Sequence, residues 1–162
     1  MNLGLDAEQL AKYVIRPTLE YIGWHSPVAE QLVLGTAITE SRLRFLKQLG
    51  SGPALGIYQM EPATFRDLIK NYLRYRPEYQ LIEHLRDRRL TTKSEELIYN
   101  LAYATAMTRA HYRRVSEPLP PEGDAWLLAS YWKAHYNTHL GAGDPHEAQA
   151  HFQVAIDTFD SL

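Results

Sequence analysis

A glutamate and a glycine-rich loop follow one another in this sequence and could together form an acid–base site. Glu40 comes two residues after the apolar run "VLGTAI". An apolar wall disfavours the charged form of a carboxyl group and so raises its pKa. A carboxyl group with a raised pKa can hold a proton near neutral pH and pass it to a leaving oxygen. Glu40 is therefore the predicted general acid.

The loop "GSGPALGIYQ", at residues 50 to 59, carries little side-chain bulk and could leave room for a large ligand. Ser41 could hydrogen-bond to a substrate or to the carboxylate beside it, and Gln59 adds a neutral donor and acceptor suited to sugar hydroxyl or acetamido groups. A structural reading stays open for each feature, because a glutamate near a helix end is usually solvated and loop glycines usually serve turns. In combination, they predict a polar ligand site.

The order and spacing of these residues resemble the first two motifs of the lytic transglycosylases and goose-type lysozymes. That family has a Glu-Ser pair, then Gly-Leu-Met-Gln and a Pro-Ala-Thr helix start. This chain has "TES" at 39 to 41 and "GIYQMEPAT" at 56 to 64, with Tyr58 in place of Met and Glu61 in place of an apolar residue. The stretch "NLAYATAMTRAHY" is similar to a later family helix. The resemblance covers roughly residues 28 to 142.

The family's third motif, Ala-Tyr-Asn, can be matched in two registers. One register places the Tyr-Asn pair at Tyr136 and Asn137, and the other places Tyr131 and Trp132 there. Tyr131 lies more than one helical turn before Asn137 and should point to a different side. We therefore expect that the two registers cannot serve the same spot.

The resemblance implies a lysozyme-like domain that cleaves the β-1,4 bond between N-acetylmuramic acid and N-acetylglucosamine in peptidoglycan glycan strands. Glu40 would protonate the glycosidic oxygen, and its carboxylate would then activate the muramic 6-hydroxyl or a water. Glu61 and Asp67 are candidates for the second acid of a two-carboxylate scheme, but neither lies where the motif requires one, which favours the transglycosylase reaction. The residues implied to bind substrate are Ser41, Gly56, Tyr58, Gln59, Tyr131, Tyr136 and Asn137. Trp132 could stack on a sugar or pack in the core.

Composition argues against several other classes of function. The formal net charge of −2 gives no overall electrostatic reason to bind nucleic acid, and the absence of cysteine excludes disulfides and thiolate metal sites. No apolar run approaches the length of a membrane span. His135 and His139 have the one-turn spacing of a metal pair, but no third ligand is placed, and surface histidines are the default. We expect no metal and no cofactor.

The cellular setting is inferred from the start of the chain, which lacks the layout of a signal peptide. We expect a protein made in the cytoplasm and carried in a bacteriophage particle beside tail or baseplate proteins, acting on the host cell wall. A soluble phage endolysin is the next possibility. The alternative class is a structural tail or baseplate component on the same fold with weak or no activity; the presence of Glu40, Ser41 and Gln59 favours the enzyme.

The elements that must position these residues follow a helical period. We predict one nearly all-α domain over residues 1–162, with at most a small irregular hairpin near 45–60. Pro17 should kink or split the first helix. The predicted helix caps are Asp6, Ser26, Ser94, Asp124 and Asp144. Ser94 should open one long helix, "EELIYNLAYATAMTRAHYRRV", and Asp124 should open "AWLLASYWKAHYN".

Overall fold

A computed structural model describes residues 1, 3–89, 92–137 and 142–162 and has the nearly all-α fold that the sequence predicts. Between residues 45 and 60, isolated antiparallel bridges join Lys47 to Leu55 and Leu55 to Met60, in keeping with the small hairpin expected there. Within the described ranges, no helix is long and apolar enough to cross a membrane. The helices are α1 (Ala7–Leu10), α2 (Arg16–Tyr21), α3 (Pro27–Ser41), α4 (Pro62–Asn71), α5 (Tyr79–His84), α6 (Glu96–Tyr99), α7 (Leu101–Arg113), α8 (Ala125–His135) and α9 (Pro145–Asp160).

Four of the predicted helix caps are present. Asp6, Ser26, Asp124 and Asp144 each accept a hydrogen bond from a backbone N–H in the first turn of the helix that follows, at 2.9 to 3.1 Å. Such a bond satisfies one of the donors that a helix start leaves without an intrahelical partner. These short-range bonds explain why the starts of α1, α3, α8 and α9 can be read directly from the sequence.

The first helical stretch is split, as Pro17 predicts. A π-helical turn, Ala11–Ile15, separates α1 from α2, and Pro17 lies in the first turn of α2. Proline has no N–H to donate and its ring clashes with the carbonyl one turn earlier, so a regular helix cannot run through it. The chain absorbs the misfit in the wider turn just before the proline.

The prediction of a single long helix after Ser94 is wrong, because the helix is interrupted at Asn100. Asn100 has extended backbone angles, and its side chain accepts a hydrogen bond from the Tyr103 N–H at 3.0 Å, so it caps α7. Its amide also donates to the Leu85 carbonyl at 2.8 Å and to Glu96 at 3.2 Å. Those two bonds keep Asn100 out of the helix. The short helix α6 precedes it, and no Ser94 side chain caps the start of α6.

Helix α3 runs through the centre of the molecule and carries Glu40 in its last turn. Most of its residues from Ala29 to Ile38 are fully buried, as expected of a helix surrounded by others. It packs mainly against α9, and Gly35 permits this contact, because a Cβ atom there would lie 2.2 Å from the Phe152 ring. The core therefore fixes the position of α3 up to the point where its last turn reaches the surface.

Candidate active site

An open cleft of about 1080 Å³ lies at the end of α3. Its walls come from the last turn of α3, the loop before α4, α4 itself and the ends of α7 and α8. The cleft brings together five of the residues predicted from the sequence: Glu40, Ser41, Gln59, Tyr136 and Asn137. Its volume is at the upper end of the range for ligand sites, which suits an extended ligand better than a single small molecule.

The Glu40 carboxyl group is hydrogen-bonded by two side chains, one within α8 and one just after its end. The indole N–H of Trp132 donates to Glu40 Oε1 at 2.9 Å, and the Asn137 side chain also hydrogen-bonds to the carboxyl. Burial raises the pKa of Glu40 to about 7, against the opposing effects of these two bonds and of the positive charge on Lys133. Near neutral pH the group is therefore present in both protonated and ionised forms, as an acid–base catalyst requires.

Both registers of the third motif meet at Glu40, so the prediction that they cannot serve the same spot is wrong. The sequence pattern predicted a helix through Asn137, whereas α8 ends at His135 and Tyr136 leaves regular helix geometry. Asn137, beyond the end of α8, therefore bonds to the same carboxyl group as Trp132, which lies within α8. The Asn137 amide oxygen accepts from Lys133 Nζ at 3.1 Å and from the Gly143 N–H at 3.2 Å, which leaves its NH₂ group for Glu40.

Trp132 and Tyr131 are buried and present no ring face to a ligand. Trp132 is 2% exposed and packs near Phe152, so the core alternative for this ring is the correct one, apart from its N–H. The Tyr131 hydroxyl donates to the Glu117 carbonyl at 3.0 Å, and Tyr131 is absent from the cleft lining. The implied substrate contact of Tyr131 and the sugar-stacking alternative for Trp132 do not agree with these positions.

Tyr136 ties the end of α8 to the loop that carries Gln59. Its hydroxyl donates to the Tyr58 carbonyl at 2.6 Å, and its ring stacks on Tyr112 with the centroids 5.3 Å apart. Gln59 lies in the same turn and donates its side-chain amide to the Gly56 carbonyl at 2.9 Å. Tyr136 therefore lines the cleft and also fixes the relative positions of two of its walls.

Two further predicted contacts have their polar groups engaged inside the protein. Tyr58 is 1% exposed, and its hydroxyl hydrogen-bonds to Thr105 at 2.7 Å within the core. The Ser41 hydroxyl donates to the Ala37 carbonyl at 3.1 Å, one turn back in α3, and the residue is buried. Tyr58 does not reach the cleft, and the Ser41 side chain stabilises its own helix end instead of facing a ligand.

Gly56 shapes the loop without lining the cleft, so its predicted contact with substrate is replaced by a backbone role. It has a left-handed φ of 76°, and a Cβ atom there would lie 2.0 Å from the Leu97 carbonyl oxygen. The glycine lets this turn pack directly against the backbone just before the break at Asn100.

Replacing Gly56 by alanine should destabilise the protein by more than the ordinary cost of a left-handed alanine. Gly123 offers a matched control, since its φ is 79° but nothing lies within 4 Å of the added methyl group. We expect Gly123→Ala to lower the free energy of unfolding by about 1 kcal/mol and Gly56→Ala by about 2–4 kcal/mol. Urea unfolding measures both; equal losses would show that the contact with Leu97 is unimportant.

The backbone around the cleft is strained at three non-glycine residues. Arg42, Leu43 and Gln59 have φ values of 54°, 58° and 51°, and among the described residues other than glycine only these have a positive φ. Arg42 and Gln59 both line the cleft. Left-handed geometry costs on the order of 1–3 kcal/mol for such residues and tends to occur at functional sites. The loop geometry is therefore consistent with a ligand-binding role for this cleft.

A charged cluster at another part of the cleft was not found from the sequence. Arg114 pairs with Asp67 at 2.6 Å and donates to His111 Nδ1 at 3.2 Å, joining residues far apart in the chain. Hydrogen bonds from Arg114 and Asn71 lower the pKa of Asp67, so this carboxylate stays ionised and is a poor proton donor. Burial, with the nearby positive charge of Arg114, lowers the pKa of His111 to about 4 and keeps it neutral.

Of the two histidines considered for a metal, His135 and His139, the second lies outside the described residues. His135 Nε2 lies 3.1 Å from Glu117 Oε2 at the cleft edge. In the described parts of the chain, no group of three or more histidine, aspartate or glutamate side chains is arranged to hold a metal ion. The side chains that act on the Glu40 carboxyl group are the neutral donors Trp132 and Asn137 and the charged Lys133.

No protein-family model, curated protein or solved structure matches this chain.

Proposed function

We propose that this protein is a lytic transglycosylase-like enzyme that cleaves the β-1,4 bond between N-acetylmuramic acid and N-acetylglucosamine in peptidoglycan, with Glu40 as its acid and base. One observation carries the proposal: a glutamate with a pKa of about 7 lies in the wall of a large open cleft. Its carboxyl group is oriented by Trp132 and Asn137, both from the segment that resembles the third family motif.

The other cleft residues suit a glycan. Gln59 and Thr64 offer neutral polar groups, which match sugar hydroxyl and acetamido groups, while Phe45 and Leu49 offer apolar surface for ring faces. The combination of a large open cleft and neutral hydrogen-bonding groups supports a polymeric saccharide as substrate. The motif resemblance supports peptidoglycan in particular.

The reaction that we propose has two steps. In the first, the protonated Glu40 gives its proton to the bridging glycosidic oxygen as the bond from that oxygen to muramic C1 breaks, leaving an oxocarbenium-like centre that the substrate's own acetamido group can stabilise. In the second, the Glu40 carboxylate takes the proton of the muramic 6-hydroxyl, whose oxygen bonds to C1. The products are a 1,6-anhydro end and a free 4-hydroxyl, and Glu40 returns to its protonated form.

The surroundings of the other two candidate carboxyl groups support the anhydro product over a two-carboxylate hydrolysis. A hydrolytic two-carboxylate mechanism needs a second carboxyl group free to activate water or attack C1. The Asp67 carboxylate is taken up by Arg114 and Asn71. Glu61 lies at the N-terminal boundary of α4, outside any position at which the family motif requires an acid. Glu40 is thus the carboxyl group best suited to work alone with groups of the substrate.

Asn137→Ala should weaken cleavage far more than it weakens the fold. The variant loses a hydrogen bond to the catalytic carboxyl, and bonds to charged groups are worth about 1.5–3 kcal/mol, so kcat/KM should fall about 10- to 100-fold. Stability should fall by about 1 kcal/mol or less, because Asn137 lies beyond the end of α8. Ser130→Ala removes a hydroxyl that donates to the Trp126 carbonyl within α8 and does not line the cleft, so it is the control. Unchanged cleavage by Asn137→Ala would remove this residue from the site.

Release of soluble glycan fragments from purified sacculi tests the proposed function. We expect the wild-type protein to clear a suspension of sacculi and to release sugar-containing fragments without added metal. A well-folded protein that releases nothing from sacculi of several cell-wall types would contradict the proposal and favour a structural role for this fold.

A further inference from the structure

Arg42 places a positive charge in the cleft wall, two residues after Glu40. It is exposed and lines both the main cleft and an adjoining pocket of about 130 Å³ that also includes Trp132 and His151. Its charge contributes to a lowered pKa for His151, after burial, which places the guanidinium within electrostatic reach of that pocket. Arg42 therefore lines the same cleft and the same small pocket as Glu40.

The Arg42 guanidinium has no partner among the described residues. The structure gives it neither an ion pair nor a side-chain hydrogen bond there, although Asp144 and Glu147 line the same small pocket. The other arginine that lines the cleft, Arg114, is paired with Asp67 at 2.6 Å. A cleft guanidinium that no carboxylate of the protein pairs with remains free to bind an anionic group of the ligand.

The backbone at Arg42 keeps this side chain at the cleft. Arg42 is the last-turn cap of α3 in left-handed geometry, a position where glycine or asparagine is usual. The next residue, Leu43, is also left-handed, but its buried side chain accounts for that geometry. Arg42 is exposed, so packing of its side chain does not account for an arginine at the strained position, whereas a contact with a ligand would.

We propose that Arg42 forms a subsite for a carboxylate of the substrate, so that the enzyme selects acidic glycans over neutral ones. The inference rests on the proposed function and refines its substrate class. The planar guanidinium can bind a carboxylate through two parallel hydrogen bonds, a geometry that lysine cannot reproduce. In peptidoglycan such a carboxylate comes from the lactyl ether of muramic acid or from the stem peptide. Chitin-type oligomers of N-acetylglucosamine have none.

Binding to a non-cleaving form of the protein tests the subsite separately from catalysis. In a Glu40→Gln background, isothermal titration calorimetry would compare three ligands of equal glycan length: peptide-free strands with free lactyl carboxylates, strands with intact stem peptides, and neutral N-acetylglucosamine oligomers. Arg42→Gln is the test variant. Arg44→Gln is the matched control, because Arg44 is an exposed neighbour that does not line the cleft.

We expect Arg42→Gln to raise the Kd for carboxylate-bearing strands about 10- to 100-fold and to change the Kd for neutral oligomers less than twofold. Arg44→Gln should change neither. A loss seen with peptide-free strands assigns the subsite to the lactyl carboxylate, and a loss confined to intact strands assigns it to the stem peptide. Equal effects on acidic and neutral ligands, or no effect on either, would overturn the subsite while leaving the proposed cleavage intact. Absence of binding to every ligand, together with intact sacculi after wild-type treatment, would overturn both.

Discussion

Glu40→Gln should abolish glycan cleavage while the fold remains intact. The amide keeps the shape of the side chain and its oxygen can still accept from Trp132, but it cannot give a proton to the glycosidic oxygen. General acid–base catalysis contributes about 10²- to 10⁴-fold in rate, so kcat should fall by at least this range when both steps depend on one group. Fragment release from sacculi measures the loss, with circular dichroism to compare the folds.

The same variant should be more stable than the wild type at alkaline pH. Burial raises the folded-state pKa of Glu40 from 4.5 to about 7. Between these two values the folded protein binds the proton more tightly than the unfolded chain, so the free energy of unfolding falls as pH rises through this window and stays lower above it. A shift of this size corresponds to at most about 3–4 kcal/mol. Glutamine removes the loss, so Glu40→Gln should gain up to this amount at about pH 8 and nothing near pH 4.

The comparison must be made as a difference between the two proteins at each pH. His111, with a pKa lowered to about 4, contributes an opposite slope over much of the same window, but it is present in both proteins and cancels. Glu61→Gln is the matched control, since Glu61 lines the same cleft and lacks the Trp132 contact. It should leave the free energy of unfolding at alkaline pH unchanged and change kcat by no more than a few-fold. Normal turnover by Glu40→Gln would remove Glu40 from the acid role.

Trp132→Ala should have the largest effect on stability among the substitutions considered at or near the candidate site. The ring is 2% exposed and lies in the cluster formed by α8 and α9, so truncation leaves a large cavity. We expect a loss of about 3–5 kcal/mol in the free energy of unfolding, measured by urea denaturation. Cleavage should fall as well, because the variant also loses the donor that orients Glu40. A stable, fully active Trp132→Ala variant would contradict both roles.

Trp132→Phe separates the hydrogen bond from the packing. Phenylalanine fills most of the space but has no N–H, and the lost bond is one that lowers the pKa of Glu40. That pKa should therefore rise, and the fall of activity at alkaline pH should move to a higher pH. Tyr131→Phe removes a hydroxyl that bonds to the Glu117 carbonyl, so it should leave the pH profile unchanged. An unshifted profile for Trp132→Phe would mean that its N–H has no influence on the acid.

The parts of the fold that the sequence predicts are those set by neighbouring residues. The caps at Asp6, Ser26, Asp124 and Asp144 act within one turn, and the effect of Pro17 follows from its own ring. The break at Asn100 depends instead on bonds to Leu85 and Glu96 and on the close approach of the Gly56 turn to Leu97. No local pattern distinguishes such an asparagine from one inside a helix.

In the candidate site, too, some residues could be predicted from the sequence and others depend on contacts between distant parts of the chain. Glu40, Gln59 and Asn137 could be identified from motif order, and they line one cleft. Tyr58 and Tyr131 could not be assigned correctly, because the sequence does not reveal which tyrosines find a buried partner. The Trp132 bond to Glu40 also required the structure, since it depends on where α8 crosses the end of α3. The cluster of Asp67, His111 and Arg114 joins α4 to the end of α7 and has no signature along the chain.

Mass spectrometry of the sugar ends released from purified peptidoglycan tests the central claim most directly. Wild-type protein should yield fragments that end in 1,6-anhydro-N-acetylmuramic acid, and Glu40→Gln protein prepared in parallel should yield none. These ends lack the mass of one water relative to hydrolysed ends, so one spectrum distinguishes the two reactions. Reducing ends in place of anhydro ends would contradict the proposed second step. Intact glycan strands after treatment with folded wild-type protein would contradict the claim that Glu40 is the acid of a peptidoglycan-cleaving enzyme.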